Sequence, residues 1–144
     1  MKLRFIKLFL RMALATAFFS AVADRFGLWS SNISTWGNWS TFLEYTQLIN
    51  PWAPDSLISS LGILATAAEI IFGLCLLIGF KTELFARLSG YLLLIFGLAM
   101  ATSVGIKQTF DYSLFTSSAA AFGLSIMKNK FLELDNLHFK RNGW

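Results

Sequence analysis

The sequence predicts an all-α fold, a transmembrane four-helix bundle with a short interfacial helix in its first outward loop. Three observations carry that expectation. The chain is 56% hydrophobic and 14% charged, whereas soluble domains carry about a quarter charged residues. Apolar windows of roughly the 20 residues that cross about 30 Å of hydrocarbon recur at about 8–28, 57–79, 84–105 and 110–127. The N-terminal segment, the 80–87 turn and the tail are basic whereas the long loop 29–56 has no Lys or Arg, the asymmetry of the positive-inside rule.

Those spans use most of the 144 residues, so the chain reads as a single integral membrane domain, 1–144. Lys2, Arg4, Lys7 and Arg11 precede or open the first span, Lys81 and Arg87 flank the central turn, and Lys128, Lys130, Lys140 and Arg141 mark the tail. The loop 29–56 has no Lys or Arg. Both termini, the central turn and the tail 128–144 are therefore expected in the cytoplasm, with 29–56 and 106–110 outward. Since topology accounts for every basic cluster, the net charge of +4 gives no reason to expect nucleic acid.

The first span admits two readings. Lys/Arg before the apolar core Met12 to Ala23, ending in Ala21-Val22-Ala23, meets the description of a leader cut after Ala23. Retention is the expectation adopted, because apolar character resumes at Phe26-Gly27-Leu28-Trp29 after the charged pair Asp24-Arg25. The following loop holds Trp29, Trp36, Trp39 and Trp52, with Thr41 to Glu44 fitting a capping box and Asn50-Pro51 ending a short helix. Amphipathic rings there suit an aromatic belt in the outer headgroup layer, or a lid over a cavity between the spans. Asp55 or Ser56 is expected to cap the second span, which turns at residues 80–83 into an antiparallel third, and Asp111 is expected at the start of the fourth. Phe131, Leu134 and Leu137 place the tail against the inner surface.

Small residues let helices approach closely in lipid. The predicted packing stripes are Ala13, Ala17, Ser20 and Asp24; Gly62, Ala65, Thr66, Glu69 and Gly73; Gly90, Gly97, Ala101 and Gly105; and Ser113, Thr116, Ser117, Ala120 and Ala121. Glu69 falls near the middle of its span, where an unpaired charge costs about 2.5–3.5 kcal/mol on insertion scales. It must be protonated or meet a cation, and Arg25, roughly 10 Å nearer the outer surface at about 1.5 Å per residue, is the basic side chain best able to reach it. One reading is a structural pair with hydrogen bonds from Asp24 or Tyr91. Another is a site for a polar headgroup, such as a quinone ring or a small anion, with Glu69 exchanging a proton and Asp24, Arg25 and Tyr91 binding the ligand. A solute or proton path is the third. Arg11 and Arg87, each about one turn inside an inner boundary, read as snorkelling anchors. Cys75 is the sole cysteine and His138 the sole histidine, so the chain has no dithiol couple and no bis-histidine ligation of its own; no metal site or covalently bound cofactor is expected.

Ala23-Asp24-Arg25-Phe26-Gly27, Ala65-Thr66-Ala67-Ala68-Glu69 leading to Gly73-Leu74 and Gly79-Phe80-Lys81, Ser89-Gly90, and Asp111-Tyr112-Ser113 resemble the DoxX family of small four-helix membrane proteins, over about residues 8–127. The resemblance implies a four-helix bundle in a prokaryotic inner membrane and a link to redox chemistry, as in membrane subunits of a thiosulfate:quinone oxidoreductase. It transfers no catalytic set, and the tryptophan-rich loop departs from the family pattern. The expected function is the membrane subunit of a quinone- or thiol-linked redox complex, with the bilayer, a redox partner subunit and further copies of the chain as partners. The alternative is a small-solute transporter or a non-enzymatic assembly and docking protein.

Overall fold

A computed structural model describes residues 2–135, and among these the chain is helical, with no strand. The helices are α1 (Lys2–Arg25), α2 (Trp39–Ile49), α3 (Asp55–Ile78), α4 (Thr82–Ser103), α5 (Ile106–Asp111) and α6 (Leu114–Ser125). Of these, α1, α3 and α4 are long and apolar enough to cross a membrane. The window expected at 110–127 is not one helix. Ser113, at φ 56°, breaks it between α5 and α6, and the 12 residues of α6 rise about 18 Å, short of the roughly 30 Å hydrocarbon layer.

Long helices α1, α3 and α4 and the shorter α6 surround one apolar core. Leu14, Ala15, Phe18, Leu76, Ala86, Leu93, Ala121 and Leu124 form it, and most of them lie in the half of the molecule that holds the α3–α4 turn. Glycines set the closest approach. A methyl group added at Gly90 would stand 2.8 Å from the Phe122 ring, and one at Gly97 2.9 Å from the Phe115 ring, so α6 lies almost on the α4 backbone. Ser118 Oγ donates to the Gly90 carbonyl at 2.7 Å across the same seam, a hydroxyl bridge suited to a medium that offers no water.

The stripe expected on α3 is observed: Gly62, Thr66, Glu69 and Gly73 are buried. That expected on α1 is not. Of its four residues only Asp24 is buried; Ala13, Ala17 and Ser20 are exposed, and the buried residues are Lys7, Arg11, Leu14, Ala15, Phe18, Asp24 and Arg25. One small surface suffices per contact, and α3 supplies it: the Phe19 ring lies 3.1 Å from where a methyl at Gly73 would sit. On α6 the buried positions are Ser118, Ala121, Leu124 and Ser125, while Ser113 and Thr116 are exposed.

Capping also differs from expectation. Asn38, not Thr41, caps α2, its side chain accepting from the Thr41 amide at 2.9 Å. Pro54 takes the cap position of α3 without a side-chain bond, leaving Asp55 in the first turn. Asp111 ends α5 and pairs with Lys107 at 2.6 Å on the surface. Gly79, at φ 72°, closes α3 in the left-handed region that glycine enters freely.

Arg11 does not snorkel. Only 1% exposed, it donates to the Leu76 and Leu77 carbonyls at the end of α3 at 2.9 and 3.1 Å, and to Phe131 and Leu132 of the tail at 3.0 and 2.9 Å. Lys7, equally buried, pairs with Glu133 at 2.8 Å. Asp135 accepts from the Lys81 and Thr82 amides at 2.8 and 3.2 Å, so it caps α4. Arg87 is exposed, in keeping with anchoring. The rest of the tail, with Leu137, His138, Lys140 and Arg141, lies outside the described residues.

The α4–α6 seam makes a direct prediction. Gly90→Ala drives a methyl into Phe122 and lowers stability in detergent by about 1–3 kcal/mol, the range for overpacking. Gly123→Ala, where an added methyl meets nothing within 4 Å, leaves stability unchanged or raises it. Thermal unfolding of the two variants side by side checks this.

Candidate functional site

Arg25 is the last residue of α1 and Glu69 lies past the middle of α3. Both are 3% exposed. The guanidinium meets the carboxylate along two edges, with Nη2 donating to Oε1 at 2.9 Å and Nη1 standing 2.7 Å from Oε2. Nη1 also donates to Thr66 Oγ1 at 2.7 Å, and that hydroxyl donates to the Gly62 carbonyl at 2.8 Å. Thr66 and Glu69, three residues apart, share one face of α3, which lets a single guanidinium engage both. The long arginine stem closes the axial gap that the sequence positions leave between the two residues.

Consecutive residues on a helix point about 100° apart, and Asp24 accordingly faces elsewhere. Its carboxylate takes the Ser34 hydroxyl and the backbone amides of Thr35 and Trp36, at 2.9 and 3.1 Å for the amides. The chain first reverses through Gly27, at φ 68°, where the Leu28 amide returns to the Ala23 carbonyl at 2.9 Å. Asp24 thus pins the loop that carries Trp36. That ring lies 5.4 Å from the Arg25 guanidinium carbon, and the Phe42 ring of α2 lies 4.0 Å from it. Two aromatic faces and a carboxylate therefore replace the water that the cation gives up.

Beside the pair is a cavity of about 380 Å³, lined by α1, the Trp36 loop, α2, α3, α4, Tyr112 and α6. It occupies the half of the molecule away from the α3–α4 turn, where the four-helix core gives out. Its wall is mainly apolar, from Leu14, Phe18, Leu61, Leu93, Phe96 and Met100 among others, with Arg25 and Glu69 its ionisable pair and Tyr45, Thr46, Asn50, Tyr112 and Ser117 its remaining polar groups. Burial, with Tyr112 nearby, pushes the Tyr45 phenol up, so it stays a neutral hydroxyl. Arg25 Nε and Trp36 Nε1 are buried without an acceptor, and Glu69 Oε2, though ion-paired, has no aligned hydrogen-bond donor, among the described residues.

Helix α2 covers one end of this space. Phe42 is buried, and it and Leu43 press on the bare backbone at Gly62; Tyr45, Thr46 and Ile49 line the cavity, and Ser103 of α4 holds the Ile49 carbonyl at 3.0 Å. Of the tryptophans, Trp36 lines the cavity, whereas Trp52 is 71% exposed.

Of the expected site residues, Arg25 and Glu69 come together. Asp24 does not join them as a ligand group, because its oxygens are taken by residues 34–36. Tyr91 is remote from the cavity: 53% exposed, it packs edge-on against Phe122 at 5.1 Å. Sequence reasoning missed Thr66 as the second acceptor and Trp36 and Phe42 as the cation's aromatic walls. It also missed the second buried cluster, Lys7, Arg11 and Glu133, whose one visible signal is the four-residue spacing that puts Lys7 and Arg11 on one face of α1.

Removing one partner of a buried pair strands the other. Arg25→Ala is expected to cost about 3–5 kcal/mol in unfolding titrations in mixed micelles, while Arg25→Met combined with Glu69→Leu recovers most of the loss. Asp24→Ala frees the loop amides, so limited proteolysis within residues 30–38 accelerates several-fold, with cleavage elsewhere unchanged. Compared with known protein families, curated proteins and solved structures, the chain matches none.

Proposed function

We propose that the chain is a DoxX-like four-helix protein of a prokaryotic inner membrane and that its cavity binds the headgroup of a quinone as part of a redox complex. Both termini lie in the cytoplasm, and α2 lies in the outer headgroup layer. The basic ends of the spans and the Lys/Arg-free loop 29–56 support this orientation.

One observation carries the ligand class: a mostly apolar cavity is lined by an ion pair that is already neutralised and by Arg25 and Trp36, each of which holds a buried N–H that lacks an acceptor among the described residues. A small anion gains little there, because Glu69 cancels the charge of Arg25. A neutral ring bearing carbonyl oxygens suits both the apolar wall and the free donors, since a buried donor without a partner costs about 1–3 kcal/mol. Arg25 Nε and Trp36 Nε1 donate to a quinone carbonyl. Glu69 exchanges the proton that reduction adds or oxidation removes, and Arg25, itself positioned by Thr66, holds its carboxylate in place. Cys75 alone forms no dithiol couple, so the electrons come from a partner subunit.

Trp36→Phe tests this cleanly, because the indole N–H has no hydrogen-bond partner to lose among the described residues. Thermal stability should hold while quinone affinity, read by quinone retained through detergent extraction and by titration in nanodiscs, falls about 5–10-fold, the equivalent of one hydrogen bond. Unchanged affinity, or a wild-type protein that holds no quinone yet takes up a solute along an imposed gradient, overturns the reading in favour of transport.

A further inference from the structure

We infer that the cavity opens sideways into the hydrocarbon between α3 and α4, and that its ligand is an amphiphile whose apolar chain leaves through that gap past Ile95. This rests on the cavity reading above and specifies the route and the shape of the ligand.

Ile95 lines the cavity and is 62% exposed, the most exposed of the large apolar side chains on its wall; Ala17 and Tyr112 are the other exposed lining residues. A residue that is both marks a rim. Its place on α4 gives the direction. Gly90 and Gly97, pressed on Phe122 and Phe115, define the face turned to α6, and at about 100° per residue Ile95 points roughly opposite to Gly97. The gap it borders is therefore not the α4–α6 seam. On the other flank of α4, Phe85 meets Phe72 of α3 at 5.8 Å between ring centroids, which closes α3 on α4 near their turn. Farther from the turn no such ring pair bridges them. Leu61 and Ala65 of α3 and Phe96 and Ala99 of α4 instead line the cavity.

Depth decides what lies outside. Ile95 sits about 12 Å inside the end of α4 at about 1.5 Å per residue, within the apolar length of a spanning helix. A rim at that level faces acyl chains, not water. The route from the aqueous side is obstructed by α2, with Phe42 and Leu43 seated on Gly62 and Ile49 tied to Ser103. The wall offers both halves of what an amphiphile requires: Arg25, Glu69 and Trp36 for a head, and Leu61, Ile95, Phe96 and Ala99, near the rim on α3 and α4, for a chain. The head finds donors, and the chain never leaves oil.

The test uses the full chain in phosphatidylcholine nanodiscs doped with phosphatidylcholine bearing a mid-chain diazirine, comparing wild type with Ile95→Trp. Irradiation should mark Leu61, Ala65 or Phe96 in wild type, and the indole should cut that labelling at least fivefold while labelling of the outward residues Leu64 and Leu98 stays constant. Label confined to outward residues in wild type overturns the portal. In a second arm, the affinity ratio of a long-chain to a chain-free quinone should fall at least tenfold in Ile95→Trp; an unchanged ratio overturns the chain's route while leaving the headgroup site intact. Should neither quinone bind wild type, the quinone reading fails by itself and the photolabelling pattern decides the portal.

Discussion

Burying a charge in oil is the constraint from which the rest of the structure follows. A carboxylate in the middle of an apolar helix is unfavourable by several kcal/mol unless it meets a cation and further hydrogen bonds. Glu69 meets both in Arg25, whose guanidinium donates to Oε1 and stands against Oε2 while Thr66 accepts from its other edge. The arginine in turn needs its own surroundings, and the chain supplies the Trp36 and Phe42 rings. Placing those rings requires a loop that turns back at Gly27, a carboxylate at position 24 to hold it, and a helix α2 that lies down across Gly62. One buried acid thus accounts for the end of α1, the course of the loop between α1 and α2 and the seating of α2.

Helix α1 is fastened to α3 twice, each time by an arginine, and the two attachments differ in kind. Arg25 meets an acid and a hydroxyl on the side of α3. Arg11 meets backbone carbonyls where α3 ends, groups that have no helical partner of their own, and extends the same fork to two tail carbonyls. The first attachment faces a cavity and, among the described residues, leaves the donors Arg25 Nε and Trp36 Nε1 without acceptors. At the second every guanidinium nitrogen of Arg11 has a carbonyl acceptor, and Glu133 Oε1, ion-paired with Lys7, is a buried atom without an aligned donor among those residues. That contrast separates a site with room for a ligand from a structural clasp.

Glycine placement explains where the cavity lies. Close contact at Gly90 and Gly97 holds α6 against α4, and Gly73 admits the phenylalanines of α1. The shared core fills the half nearest the α3–α4 turn. In the other half α2 wedges among α1, α3 and α4, covering the space between the helices without filling it. A cavity in a close-packed protein forgoes dispersion contacts along its whole wall, so its persistence beside the molecule's most polar intramembrane pair fits a space kept for an occupant.

The sequence by itself determined the class of medium, the helical content and three of the spanning helices, because the length and composition of an apolar run are local properties. It also pointed Glu69 inward and named Arg25 as the basic side chain best able to reach it, since a bare charge there is costly, but it left a protonated Glu69 open until the structure paired the two. Tertiary structure alone decided the rest. Asp24 and Arg25 are adjacent in sequence yet serve a loop and a helix, which depends on where residues 34–36 return. Arg11 was read as an anchor because its partners, the carbonyls ending α3 and those of residues 131 and 132, carry no side-chain signature. The buried face of α1 could not be read from its small residues, because the glycine that made room for it was on α3. The break at Ser113 left no proline or glycine to announce it; packing of Phe115 and Phe122 on the glycines of α4 accompanies it, and such a contact exists only once the helices have met.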